Sequence, residues 1–206
     1  LKPASAADAK MLELIVRESD HLNRIVGGVL DFARPLKLQT RPCDLGSLME
    51  ETTDLLRARF PASTAVHVSV DIPASIRLEA DATLLRQVFL NLGQNAFQAM
   101  LPAGGRLAIE ARSETWEGIP GIRIEFSDTG PGIVAEDLPE LFKPFFTRRP
   151  GGTGLGLAIA NRIAQAHGGE IRVVSRPGQG TRIAVWLPRS ADAVQGGSGV
   201  HSAAKP

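Results

Sequence analysis

The sequence predicts an α/β protein: a two-layer α/β sandwich, with helices on one face of a mostly antiparallel sheet, preceded by a long bundle helix. Three observations predict it. Apolar residues recur every three or four positions in several separate windows, which is the helical period. Between those windows, short runs alternate apolar and polar residues with the period of two that marks a half-buried strand. Late in the chain a Gly/Pro-rich stretch carries neither period, an unusual feature in a compact domain and a frequent mark of an active-site lid.

Residues 5–33 form the first unit. Leu12, Ile15, Ser19, Leu22, Val26, Val29 and Ala33 alternate spacings of three and four, and Met11, Ile25 and Phe32 widen the stripe. That is a bundle helix with a coiled-coil-like seam. At 1.5 Å per residue it spans about 43 Å, too long and too one-sided to stand without a partner helix. The pair Gly27-Gly28 costs about 1 kcal/mol per residue relative to alanine, and close helix approach would account for it. Pro35 ends the helix. Residues 1–34 are thus expected as a partial helical unit, 35–43 as a linker, 44–189 as the main domain and 190–206, rich in Ala, Gly and Ser, as a disordered tail.

Within the main domain, Asp44 caps a helix carrying Leu45, Leu48, Met49, Thr52, Leu55, Leu56 and Phe60. Val66, Val68 and Val70 alternate as a strand, with a short return strand at 76–79. Asp81 opens a second helix, apolar at Leu84, Leu85, Val88, Phe89, Leu92, Ala96 and Met100. Strands are expected at 106–112 and 121–127, a helix at 155–167, and closing strands at 170–175 and 181–187.

Composition removes several function classes. Lys plus Arg total 23 against 22 Asp plus Glu, so no electrostatic footprint for nucleic acid or an anionic membrane is expected. Cys43 is the single cysteine, and a cytoplasmic setting is the expectation. No apolar run approaches the roughly 20 residues of a membrane span, and no signal peptide is expected.

Four segments carry the chemistry. Asn91 and Asn95 lie four apart on one helix and share a face. Their amide oxygens suit Mg2+, a hard cation that keeps several waters and needs only one or two protein oxygens beside phosphates. The same spacing also suits a bond to the helix's own backbone. Asp128 ends an apolar strand before Gly130 and Gly132; a carboxylate there accepts from the exocyclic amine of adenine, or simply closes a turn. The segment Gly152-Thr153-Gly154-Leu155-Gly156-Leu157 runs straight into a helix, whose backbone N–H groups and dipole form an anion site. It lacks the Gly-Lys-Ser/Thr of a P-loop and the preceding strand of a dinucleotide fingerprint. Phe142, Phe145 and Phe146 cluster just upstream, as lid anchors or as core.

Taken in order, these segments resemble the N, G1, F and G2 boxes of the sensor histidine kinases, within the wider GHKL group that includes gyrase-type and mismatch-repair ATPases. The resemblance implies the Bergerat ATP-binding fold, with ATP and Mg2+ as ligands and Asn95 on the metal. It implies that Asn91, Asn95, Asp128, Gly130, Gly132, Phe145, Thr153, Gly154, Leu155, Gly156, Leu157 and Thr181 line the nucleotide. Thr181 belongs to Gly178-Gln179-Gly180-Thr181, which resembles the last glycine box. Arg148-Arg149 stands where the family more often has Thr-Lys, and either arginine could meet the terminal phosphates.

The first helix, from Ile15 to Pro35, is similar to the second helix of a dimerisation and histidine-phosphotransfer domain of the nitrogen-regulation type. That likeness implies a homodimer through this helix, a response regulator receiver domain as partner, and a parent whose membrane status stays open. The acceptor box, His-Glu followed by Asn-Pro, does not occur in the sequence. His21 lacks that context and is expected to be an exposed helical histidine. In gyrase-type relatives a glutamate one turn before the magnesium asparagine activates water; Asn91 holds that position here and cannot act as a base. A protein histidine kinase is therefore the expected function. The alternatives are a GHKL-type ATPase or a nucleotide-sensing module without chemistry.

Overall fold

The computed structural model describes residues 6–33, 35–60, 65–149 and 151–190. The first helix, α1, is Ala6–Ala33. It is followed by β1 (Arg41–Asp44), α2 (Leu45–Arg59), β2 (Val66–Asp71), β3 (Arg77–Ala80) and α3 (Ala82–Met100). Next come β4 (Gly105–Trp116), β5 (Ile119–Asp128), a short 3-10 turn at Ala135–Glu140, α4 (Gly156–Ala166), β6 (Glu170–Ser175) and β7 (Thr181–Pro188).

The main sheet has the order β2-β4-β5-β7-β6. Its β2–β4 pair is parallel and its other three pairs are antiparallel. Apolar alternation decides which face is covered. Leu107 and Ile109 of β4, Ile122, Ile124 and Phe126 of β5 and Val185 of β7 are buried beneath α3 residues Leu85, Val88, Phe89, Leu92 and Phe97. Phe89 stacks on Phe126 with ring centroids 5.9 Å apart. The helices α2, α3 and α4 make the second layer, as the patterning requires.

Both expected helix caps form. Asp44 Oδ1 accepts from the Ser47 N–H at 3.0 Å. Asp81 Oδ1 accepts from Thr83 and Leu84 at 3.1 and 3.2 Å, satisfying donors that a helix start leaves without partners. The N–H of Asp81 itself donates to His167 Nε2 at 3.1 Å, while His167 Nδ1 lies 2.8 Å from the Ile163 carbonyl. Those partners specify a neutral imidazole protonated on Nδ1, and burial lowers its pKa accordingly. This histidine fastens the end of α4 to the start of α3.

The pairing of one sequence segment differs from expectation. Residues 41–44, mostly placed in a linker, form β1, and the strand expected to return along β2 pairs with β1 in a separate two-stranded sheet. Each strand is four residues long, and Pro42 removes a donor, so alternation is too short to read. The pair is held instead by burying Cys43, Leu78 and Ala80. The strands β4 and β5 also extend beyond their sequence expectation into a long hairpin.

Helix α1 carries its stripe largely in the open: Leu12, Ile15, Leu22, Val26 and Val29 are all exposed. Its C-terminal end meets α4 and the residue before it. A Cβ on Gly28 would lie 2.7 Å from Leu155 Cδ1, whereas Gly27 faces open space. Close approach thus explains the second glycine and not the first. The Arg162 guanidinium lies over the Phe32 ring at 5.4 Å and donates to the Phe32 carbonyl. No described helix is long and apolar enough to cross a membrane. The side chains of Asp20 and His21 lie outside the described residues, as does the tail beyond Ser190.

Candidate functional site

One helix, one strand end, two loops and one helix start meet at a single edge of the sandwich. Helix α3 contributes Asn91 and Asn95. Asn91 Nδ2 donates to the Gly156 carbonyl at 3.0 Å, which ties α3 to the start of α4. Asn95 Oδ1 accepts a long contact, 3.5 Å, from Arg149 Nη1. Neither side chain spends itself on its own helix backbone.

Asp128 ends β5 opposite Thr181 of β7. Its Oδ1 accepts from the Gly130 N–H at 2.8 Å, an Asx-type turn that aims the carboxylate off the strand. Burial pushes its pKa up, and the N–H groups of Gly130 and Thr181 together with the Arg149 charge hold it partly back. Gly132 follows with φ +74°, and a Cβ there would stand 2.0 Å from the Arg176 carbonyl. The Arg176–Gly180 turn therefore packs directly on this loop, with the Gly178 N–H donating to the Pro131 carbonyl at 2.7 Å. Thr181 Oγ1 lies 3.0 Å from Ser175 Oγ, which also donates to the Gly180 carbonyl and accepts from the Ile133 N–H.

The glycine-rich segment is held from both sides. The Phe145 N–H donates to the Gly154 carbonyl at 3.0 Å. Gly154 has φ +66°, and a Cβ on it would come within 2.3 Å of the Phe145 carbonyl carbon; only glycine fits. Leu155 is fully buried, against Gly28 among others, and Leu157 packs on the core. These two leucines fix the loop by their side chains and offer a ligand only their backbone. No side chain caps α4, so its first N–H groups remain available to an anion. Thr153 Oγ1 accepts from the Leu155 N–H at 3.4 Å.

Of the three phenylalanines, Phe142 packs on the core, while Phe145 is 58% exposed with a left-handed backbone, φ +68°. Phe142 thus reaches the core with its ring, while Phe145 meets Gly154 through its backbone. The two arginines part company. Arg148 forks onto Asp137 at 2.8–3.3 Å and lies over the Phe146 ring, 5.7 Å from its centroid. Arg149 turns inward, donating from Nη2 to the Asn95 carbonyl and from Nη1 to Gln98 Oε1, both at 2.9 Å. Burial lowers its pKa, and the Asp128 charge opposes that shift.

Sequence reasoning missed Gln98 and Ser175. Gln98 sits three residues after Asn95 and so shares its face, a signal present in the spacing; Ser175 has no such signal. Among the described residues, no group of three or more His, Cys, Asp or Glu is placed to hold a metal. The Asn95 amide oxygen is a hard neutral donor that suits Mg2+ only with further oxygens from a ligand and water. The donor chemistry fits a phosphate-borne ion.

Comparison with known proteins agrees with this arrangement. Residues 80–191 match the family described as histidine kinase-, DNA gyrase B-, and HSP90-like ATPase. The chain is 33% identical over 195 residues to the sensor histidine kinase ZraS of Escherichia coli O157:H7, covering 90% of this chain and 40% of that protein. It thus spans about two fifths of the length of that curated relative. Among solved structures, it is similar to the catalytic domain of histidine kinase ThkA, with TM-score 0.66 and 28% identity over 75% of this chain and 99% of that one. ThkA in complex with the response regulator protein TrrA gives TM-score 0.72 and 27% identity over 93% of this chain and 54% of that one. The α/β layers, the glycine-rich start of α4 and the matched residues lead to one conclusion: this chain belongs to the histidine kinase-, DNA gyrase B- and HSP90-like ATPase family, whose domains bind ATP.

Proposed function

We propose that this chain is the ATP-binding catalytic portion of a sensor histidine kinase, over about residues 44–189, with α1 as part of a dimerisation and phosphotransfer unit. The observation that carries the reading is the bond from Asn91 Nδ2 to the Gly156 carbonyl. It fastens the amide-bearing face of α3 to the uncapped start of α4, where phosphates would lie, and it commits Asn91 to a structural role. No base then stands where a hydrolytic relative would activate water.

In this reading Asp128 accepts from the adenine amine, with Gly130, Gly132 and Thr181 shaping the wall around the base. Asn95 Oδ1 supplies the protein ligand to Mg2+, which when bound offsets phosphate charge. The loop 152–157 gives backbone N–H groups to the phosphates, and Phe145 and Thr153 hold that loop's shape. Transfer needs little beyond positioning and charge stabilisation. An imidazole nitrogen presented by a separate helix forms a bond to the γ-phosphorus as the bond to the bridging oxygen breaks, and ADP leaves. The exposed stripe of α1 supports a second copy of this chain as the neighbouring helix. A response regulator receiver domain is the proposed downstream acceptor, in line with the ThkA–TrrA complex.

The lid, about residues 131–151, tests the nucleotide part. Its described apolar anchoring rests mainly on Phe142, so opening should cost little. Its amides should exchange fast in the free protein and slowly with Mg-ATP. Equal rates in both states would contradict the assignment.

A further inference from the structure

Arg149 lies across the oxygen assigned to the metal. Its guanidinium spans the Asn95 carbonyl and Gln98 Oε1, each at 2.9 Å, with Asn95 Oδ1 at 3.5 Å. The backbone beneath it is pinned on both sides: its N–H donates to Thr147 Oγ1 at 3.1 Å, and its carbonyl accepts from the Gly152 N–H at 3.1 Å. The side chain can therefore swing without refolding the loop. Arg148 takes no part, since Asp137 holds it.

We propose that Gln98 is a positioning residue that parks Arg149 over Asn95 Oδ1 in the nucleotide-free domain, so that Mg-ATP binding exchanges the guanidinium for the ion and releases Arg149 toward the phosphates. This rests on the Mg-ATP reading of the site. Two cations cannot share one amide oxygen without repulsion, so the parked and metal-bound arrangements exclude each other. Gln98 contributes a neutral oxygen, which orients a guanidinium without the charge attraction that would retain it. A carboxylate at that position would hold Arg149 more firmly.

Gln98 is exposed, so substitutions there leave the core intact. Calorimetry with Mg-ATP on the full chain, comparing Gln98→Glu in the native and Arg149→Gln backgrounds, reads the coupling. Gln98→Glu should weaken Mg-ATP by about three- to fivefold, the size of an exposed ion pair, and this weakening should vanish once Arg149 is glutamine. Weakening that persists in the Arg149→Gln background would mean that the carboxylate repels phosphate directly, and would overturn the proposal. A second readout needs no nucleotide: in the free protein, Gln98→Ala should raise the side-chain mobility of Arg149 read by NMR at its guanidinium Nε–H, and unchanged mobility would also overturn it. If the native protein binds no Mg-ATP, the nucleotide reading and with it the exchange of guanidinium for metal fail. Native binding without coupling defeats only the role of Gln98.

Discussion

Asp128→Asn weakens ATP binding by about 1.5–3 kcal/mol, the scale of a hydrogen bond to a charged group. The geometry says why a neutral isostere cannot substitute. Oδ1 already takes the Gly130 N–H at 2.8 Å, so an adenine amine bound here would find the freer acceptor on the other oxygen. An asparagine that keeps the Gly130 bond turns its NH2 toward the amine, donor against donor. One that serves the amine abandons Gly130. The β5–β7 register opposite Thr181 rests on backbone, so the variant should melt near the native temperature. Calorimetry giving unchanged ATP affinity would place adenine elsewhere.

Asn95→Ala should remove the magnesium-dependent increment of ATP affinity and leave the affinity measured in EDTA. Alanine favours the helix, and the strong Arg149 contact at this residue is to its main-chain carbonyl, which the substitution keeps. Loss of metal dependence is thus separable from loss of structure. Titrations with and without Mg2+ decide it: a variant that still gains affinity from Mg2+ would make Asn95 a packing residue.

Much of this architecture was legible because its signals are local. Asp44 and Asp81 announce their caps within three residues of the donors they satisfy. The apolar spacing of α3 names the face that meets Phe126. What remained hidden was non-local. The β1–β3 pair brings Arg41 opposite Ala80, and nothing in either four-residue run specifies the other. Gly28 could be explained only once Leu155 arrived against it.

The site divides the same way. Glycine-rich loops and paired asparagines can be read from spacing, because backbone access and helix geometry require them there. The choice between Arg148 and Arg149 could not be read, since the loop has no period. Which of them turns toward α3 depends on where their partners lie, Asp137 in the lid and Gln98 on α3. That Phe142 and not Phe145 packs on the core was hidden for a related reason: in an irregular segment, backbone torsion rather than sequence order decides which ring turns inward.

The proposed activity is presentation of a γ-phosphoryl group to a histidine on another helix, with little loss to water. Incubation with γ-labelled Mg-ATP and a separately supplied helical segment carrying a histidine acceptor box separates the two fates of the phosphoryl group. Acid-labile label should appear on the supplied histidine, free phosphate should be released slowly, and this chain alone should take up no label. Stable label on His21 of the isolated chain, abolished by His21→Gln, or rapid ATP hydrolysis with no transfer to the supplied histidine, would contradict it.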